Sequence, residues 1–137
     1  MSILPISPLP RKDEYPTSDG KPLAETERHR DLMLELIETL RHFYRDERRV
    51  HATGNILLYY VEGDKRKHVS PDVMVIKGVA KREGLYYLLW QEKKAPQFVI
   101  ELTSSSTRRE DTKKKYELYR DVLKVKEYFL FDPSATT

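Results

Sequence analysis

The sequence predicts a mixed α/β (α+β) fold, a mixed central sheet flanked by helices, on three observations. An amphipathic helical stripe comes first, short apolar runs bounded by turn residues follow, and a second helical segment separates the last two of those runs. The order reads α-β-β-(irregular)-β-α-β, and its closing β-α-β suits a parallel crossover. At 137 residues the chain has room for one domain, since domains typically run about 100–150 residues.

Each element has a local cause. Residues 1–22 hold five of the eight prolines and read as an extended N-terminal arm, which leaves residues 23–137 for the folded domain. From Ala24 onward Met33, Leu36, Ile37, Leu40, Phe43 and Tyr44 recur at three- and four-residue spacing, with Glu25 and His29 extending the stripe backwards. That places the first helix roughly over 25–46. Residues 55–62, Asn55 to Glu62, are rich in aliphatic and aromatic side chains and read as a strand, closed by the charged turn Gly63 to Lys67. A second strand, Val69 to Ile76, is near enough to form an antiparallel hairpin, with Pro71 near its start, where a missing N–H is tolerated. Leu85 to Trp90 is too short to assign to helix or strand. Phe98 to Leu102 reads as a buried strand. Thr107 and Glu110 form a capping box that starts a helix running to about Val122, with Asp111 in its first turn. Tyr128 to Phe131 reads as a last buried strand, and Asp132, before Pro133, as a turn cap.

Composition excludes several functions. Twenty-five Lys and Arg against twenty-two Asp and Glu leave a net charge of +3, which rules out a polycationic tail. The absence of cysteine removes disulfide frameworks, thiolate zinc sites and cysteine nucleophiles, so any metal is held by oxygen or imidazole. No segment approaches the roughly 20 apolar residues of a membrane helix, and a cytoplasmic, non-membrane protein is the expectation.

The acids carry the chemistry. A lone carboxylate in an apolar strand costs several kcal/mol unless it is paired or binds a metal, and two acids meet that description. Asp72 precedes Val73-Met74-Val75-Ile76, and Glu101 lies within Phe98 to Leu102. Singly, each reads as a strand-end cap or an ion-pair partner. Together, on neighbouring strands, they make a hard oxygen site suited to Mg²⁺. On the helix that follows, Tyr116, Tyr119, Val122 and Leu123 define the inward arc at 100° per residue, and of three consecutive lysines only Lys115 falls inside it. An inward lysine either snorkels to solvent or delivers its ammonium to the carboxylates. Two acids and a lysine on adjoining elements are the parts of metal-assisted phosphodiester hydrolysis.

Ser70-Pro71-Asp72-Val73, then Val99-Ile100-Glu101-Leu102-Thr103-Ser104 with Ser106-Thr107, then Asp111, Lys115 and Tyr119, and finally Glu127 to Pro133, carry a resemblance. So do Asp19-Gly20 and the run Ala24 to His29 that opens the first helix. Over residues 15–133 the chain resembles a large bacterial family of restriction endonuclease-like proteins within the PD-(D/E)XK nuclease superfamily. The resemblance implies a restriction-endonuclease-like αβββαβ core and a Mg²⁺-dependent (or Mn²⁺-dependent) endodeoxyribonuclease acting on DNA, in which homodimers are frequent. It implies Asp72, Glu101 and the backbone carbonyl of Leu102 as metal ligands, with Lys115 as the helix-borne lysine. Two features depart from the wider pattern. The superfamily places a lysine two residues after the glutamate, where this chain has Thr103, so Lys115 substitutes for it, as elsewhere in the family. Members also continue with further β structure, whereas this sequence stops four residues after Asp132-Pro133, which implies a domain shortened at its C-terminus.

Other residues have two readings. Glu25, or Glu27, and His29 could join the site from the first helix, although a histidine on an apolar face is more often a hydrogen-bonded core residue. Ser104, Ser105 and Ser106 lack a partner to activate a nucleophile and read as loop and cap residues, with Ser104 able to bond a site carboxylate. Trp90 and the pair Tyr86-Tyr87 read as core and rim packing rather than a base-stacking platform. Residues 107–126 hold eight Lys or Arg against four acids, a local +4, so Arg108, Arg109, Lys113 and Lys114 are candidate nucleic-acid contacts. Lys65-Arg66-Lys67 is a second candidate surface, and a solvated helix face would look the same. The competing reading is a catalytically inactive, nuclease-like module that binds nucleic acid or protein. A third is a subunit of a larger assembly joined through the proline-rich arm.

Overall fold

The computed structural model describes residues 15–16, 27–103 and 110–132, with side chains from 113 in the last segment. The first helix, α1, spans Glu27–Phe43. Its positions Met33 and Ile37, one turn apart, are buried against Val73 and Leu102, with Leu36 and Leu40 partly buried beside them. The expected stripe fails at its end, because Phe43 is 71% exposed. Tyr44, one residue on and about 100° around the axis, takes the place against Val50, Ala52 and Val75, which leaves Phe43 outside.

The strands divide between two sheets. In the larger, β1 (Val50–Thr53), β4 (Val73–Lys77), β6 (Phe98–Leu102) and β7 (Glu127–Phe131) lie in the order β1-β4-β6-β7. β4 runs antiparallel to both β1 and β6, and β7 runs parallel to β6. The crossover between them is α3, Glu110–Glu117, continued by a five-residue π-helical turn at Leu118–Val122. This is a mixed α+β fold with the αβββαβ order of α1, β1, β4, β6, α3 and β7. A smaller sheet holds β3 (His68–Val69), β2 (Leu57–Tyr59) and β5 (Tyr86–Leu88) in the order β3-β2-β5, and the short helix α2, Leu89–Glu92, follows β5.

Three expectations are corrected here. The strand expected over 55–62 is β2 alone, and β1, which the sequence pattern does not single out, precedes it. The strand expected over 69–76 is two strands: β3 completes the hairpin through Leu58↔Val69 and Tyr59↔His68, whereas β4 joins the other sheet through Thr53↔Met74 and Ala52↔Val75. The break lies at Pro71, which has no N–H for a ladder, while its carbonyl accepts from Asn55 N–H at 2.8 Å. The last strand is not buried: Phe129, Leu130 and Phe131 are each over 40% exposed, and among the described residues β7 lies at the edge of the sheet beside β6.

The inward arc of the last helix also changes. Tyr119 and Leu123 are buried, but Tyr116 is on the rim and Val122 is 54% exposed. The cause is the π turn, in which Leu123 N–H donates to Leu118 O, five residues back, at 3.0 Å. Each residue there turns less around the axis than in an α-helix, so Leu123 rather than Val122 follows Tyr119 inward. In the centre of the large sheet Val73, Met74, Val75 and Ile76 are all fully buried, the pattern of a strand covered on both faces.

The N-terminal arm touches the small sheet at Tyr15 and Pro16. Tyr59 OH donates to Pro16 O at 2.6 Å, and the Tyr15 ring packs on Tyr59, Tyr86 and Trp90. Tyr87 is buried, and its hydroxyl donates to Lys94 O. These aromatics pack, as expected of them. Among the described residues no helix is long and apolar enough to cross a membrane.

Candidate active site

The register of the two central strands brings the acids together. Val73 pairs with Ile100 in an antiparallel ladder, and continuing that register by one residue sets Asp72 opposite Glu101. Asp72 is thereby near enough to Glu101 to help hold the glutamate's proton. Asp72 sits just before β4, after the fully buried Pro71, and is held by the N–H of Leu102, which donates to its Oδ2 at 2.7 Å. Leu102, expected to contribute through its carbonyl, is thus placed beside Asp72 by its N–H. Glu101 is only 3% exposed and faces the crossover helix.

That helix supplies two groups from one face. Lys115 and Tyr119 are four residues apart and therefore neighbours on the helix surface. Lys115 Nζ lies 3.7 Å from Glu101 Oε2, and Tyr119 OH donates to Glu101 Oε1 at 2.6 Å. Burial raises the Glu101 carboxyl to about 8, partly opposed by the Lys115 ammonium, while the neighbouring Asp72 pushes the same way as burial. Tyr119 is held well above the usual phenol range, by burial first and by Glu101 next. Tyr119→Phe removes a bond to a buried carboxyl, and its expected cost is about 1–3 kcal/mol of unfolding free energy, checked by urea titration.

His29, on α1, has Nε2 3.6 Å from Asp72 Oδ2, an ion pair only when the imidazole is protonated. Lys113 and Lys114 are exposed. Glu25, Ser104, Arg108 and Arg109 lie outside the described residues, as does the side chain of Asp111. Thr103 uses its N–H to bond Phe131 O at 2.8 Å, so it continues the β6–β7 pairing.

One contributor escaped the sequence reading. Gly54 follows β1 and lies so close to Asp72 that a Cβ there would stand 2.0 Å from the Asp72 carbonyl oxygen. Only a residue without a side chain lets the two backbones approach this closely. The signal was a glycine just before the apolar run Ile56 to Val61, which reads equally as an ordinary turn.

The Uma2 family, described as "Putative restriction endonuclease", matches residues 4–137. The chain belongs to this family. Its fold is similar to that of a solved structure: a crystal structure titled as a putative nuclease belonging to DUF820 from Anabaena variabilis ATCC 29413 aligns with a TM-score of 0.56 at 17% identity. The alignment covers 92% of this chain and 70% of that one. Comparison with curated proteins finds no match. Membership in Uma2 makes nuclease-like function the framework for the site.

The donor set of this Uma2 chain fits a hard divalent cation. Asp72 and Glu101 offer only carboxyl oxygens, from positions set opposite each other by the β4–β6 register. Mg²⁺ keeps several waters and is commonly held by one or two carboxylates together with substrate phosphates, so two carboxyls are a sufficient protein contribution for it.

Proposed function

We propose that this chain is a Mg²⁺- or Mn²⁺-dependent endonuclease that hydrolyses DNA phosphodiester bonds, with Asp72, Glu101 and Lys115 as its catalytic residues. The observation that carries the reading is the convergence of two carboxyls, set opposite each other by the β4–β6 register, with a helix-borne ammonium 3.7 Å from one of them. Asp72 and Glu101 would hold the cation, with the Leu102 carbonyl as a further oxygen. When bound, the cation supplies Lewis acidity toward the phosphate and lowers the pKa of a water. Lys115, one-third exposed, reaches from the protein interior toward solvent, where its charge can offset negative charge developing on the phosphate or orient a water. Leu102 N–H holds Asp72 in place, and Tyr119 OH holds Glu101. Lys115 thereby does from α3 what the superfamily lysine does two residues after the glutamate.

Pairing of two copies, one for each strand, and a cytoplasmic setting belong to the same reading. Incubation with supercoiled plasmid and Mg²⁺ or Mn²⁺ tests it. Nicked and linear products are expected from the wild type, with none from Asp72→Ala. Equal cleavage by both proteins overturns the assignment. Calorimetric titration with Mn²⁺ separates this reading from an inactive binding module, which has no need for a cation whose binding Glu101→Ala abolishes.

A further inference from the structure

Along the outer edge of β1, on the far side of that strand from β4, lies a cleft of about 890 Å³. Its walls are the C-terminal end of α1, the strand itself and residues 81–85. Arg41, Arg45, Lys81 and Arg82 line it together with His51, against the acid Glu83. The cations are held in place by the fold. Arg41 Nε donates to Ala52 O at 3.0 Å, and Arg45 to His42 O at 2.9 Å. Lys81 Nζ caps the end of α1 by donating to Tyr44 O at 2.5 Å and Arg45 O at 3.2 Å, and Arg82 pairs with Glu92 at 2.5 Å. A guanidinium carries five N–H donors, and these bonds use only part of them.

The field in the cleft is positive. His51, half-buried on β1, is held below the ordinary imidazole range by burial first, then by Arg41, Arg82 and Lys81, with Glu92 opposing. The wall includes four consecutive strand residues, about 13 Å of extended chain. A cationic wall of that length has room for more than one phosphate of a chain. Planar guanidiniums match the phosphate group in a forked geometry. The cleft also reaches the catalytic end of the sheet: Thr53 lines it, and the next residue, Gly54, packs on the carbonyl of Asp72.

We infer that this cleft seats the phosphodiester backbone of the nucleic acid whose scissile phosphate lies at Asp72 and Glu101, a contact surface distinct from the exposed lysines of α3. The position of the scissile phosphate rests on the hydrolytic reading; binding in the cleft does not. Fluorescence anisotropy with a fluorescein-labelled DNA duplex, in EDTA and over a range of KCl concentrations, tests it with the double variant Arg45→Gln/Lys81→Gln. Loss of two phosphate contacts is expected to weaken binding at least about tenfold and to reduce the slope of log Kd against log salt by roughly 1.8. Arg45→Gln alone, at an exposed side chain, is expected to lower the slope by about 0.9 and covers the case in which Lys81 is needed for the helix end to fold. Affinity and slope equal to wild type in the Arg45→Gln variant, or in a double variant with wild-type melting temperature, overturn the inference. If the wild type cleaves no plasmid with Mn²⁺ while binding still falls in the variants, the cleft stands and the hydrolytic reading fails.

Discussion

Glu101→Gln is expected to lose plasmid cleavage by at least about a hundredfold and yet to be the more stable protein near pH 8 in metal-free buffer. The loss follows from replacing a carboxylate, one of the two groups that would hold the cation. The gain follows from linkage. Burial raises the Glu101 carboxyl from 4.5 to about 8, so between those values the native state keeps a proton that the unfolded chain has released. The native state binds more protons there, so wild-type stability falls as pH rises through this window and the penalty is nearly complete above pH 8. At full value the difference is on the order of 5 kcal/mol. Glutamine keeps the shape and can still accept from Tyr119, with no proton to lose. Denaturant titrations in EDTA should therefore give curves that converge near pH 4 to 5 and diverge above it, with the variant higher. Parallel curves across that range would remove the buried carboxyl from the account.

Gly54→Ala is expected to destabilise the protein by about 3 kcal/mol or more and to weaken Mn²⁺ binding in whatever folded fraction remains. The added Cβ would meet backbone on one side, Asp72 O at 2.0 Å and Asp72 C at 2.8 Å, and Ile37 Cδ1 on the other at 3.1 Å. Backbone cannot rotate aside as a flexible side chain can. Either β1 separates from β4, or Asp72 shifts and strains the bond its Oδ2 accepts from Leu102 N–H. The cost is steric and not conformational, so any larger residue at 54 should be worse than alanine. Urea titration measures the first effect and calorimetry the second; wild-type values in both would show that the strands give way easily.

Local pattern and tertiary pairing contributed differently to these conclusions. The 3.6-residue stripe of α1, the compact run Phe98 to Leu102 and the helix before the last strand are visible in the sequence because each is set by its own residues. So are the candidates Asp72 and Glu101, since a carboxylate in an apolar run is conspicuous wherever the strand ends up. Lys115 was legible through helical phase, and the same reasoning misplaced Val122, because a π turn is stabilised by backbone bonds that no side-chain period announces. β1 went unseen because Val50-His51-Ala52-Thr53 has little apolar character of its own and is a strand only because β4 offers it a ladder.

By itself, then, the sequence determined which groups were available: two acids in apolar strands, one lysine and one tyrosine on a helix face, no thiol. Tertiary structure alone decided that they meet. Pro71 splits one apolar run between two sheets, Gly54 lets β1 close on Asp72, and the β4–β6 register turns an acid before one strand and an acid within another into facing partners. Those outcomes depend on contacts between residues 17 to 30 positions apart, Gly54 with Ile37 and with Asp72, and Asp72 with Leu102. Short-range propensity carries no information about them.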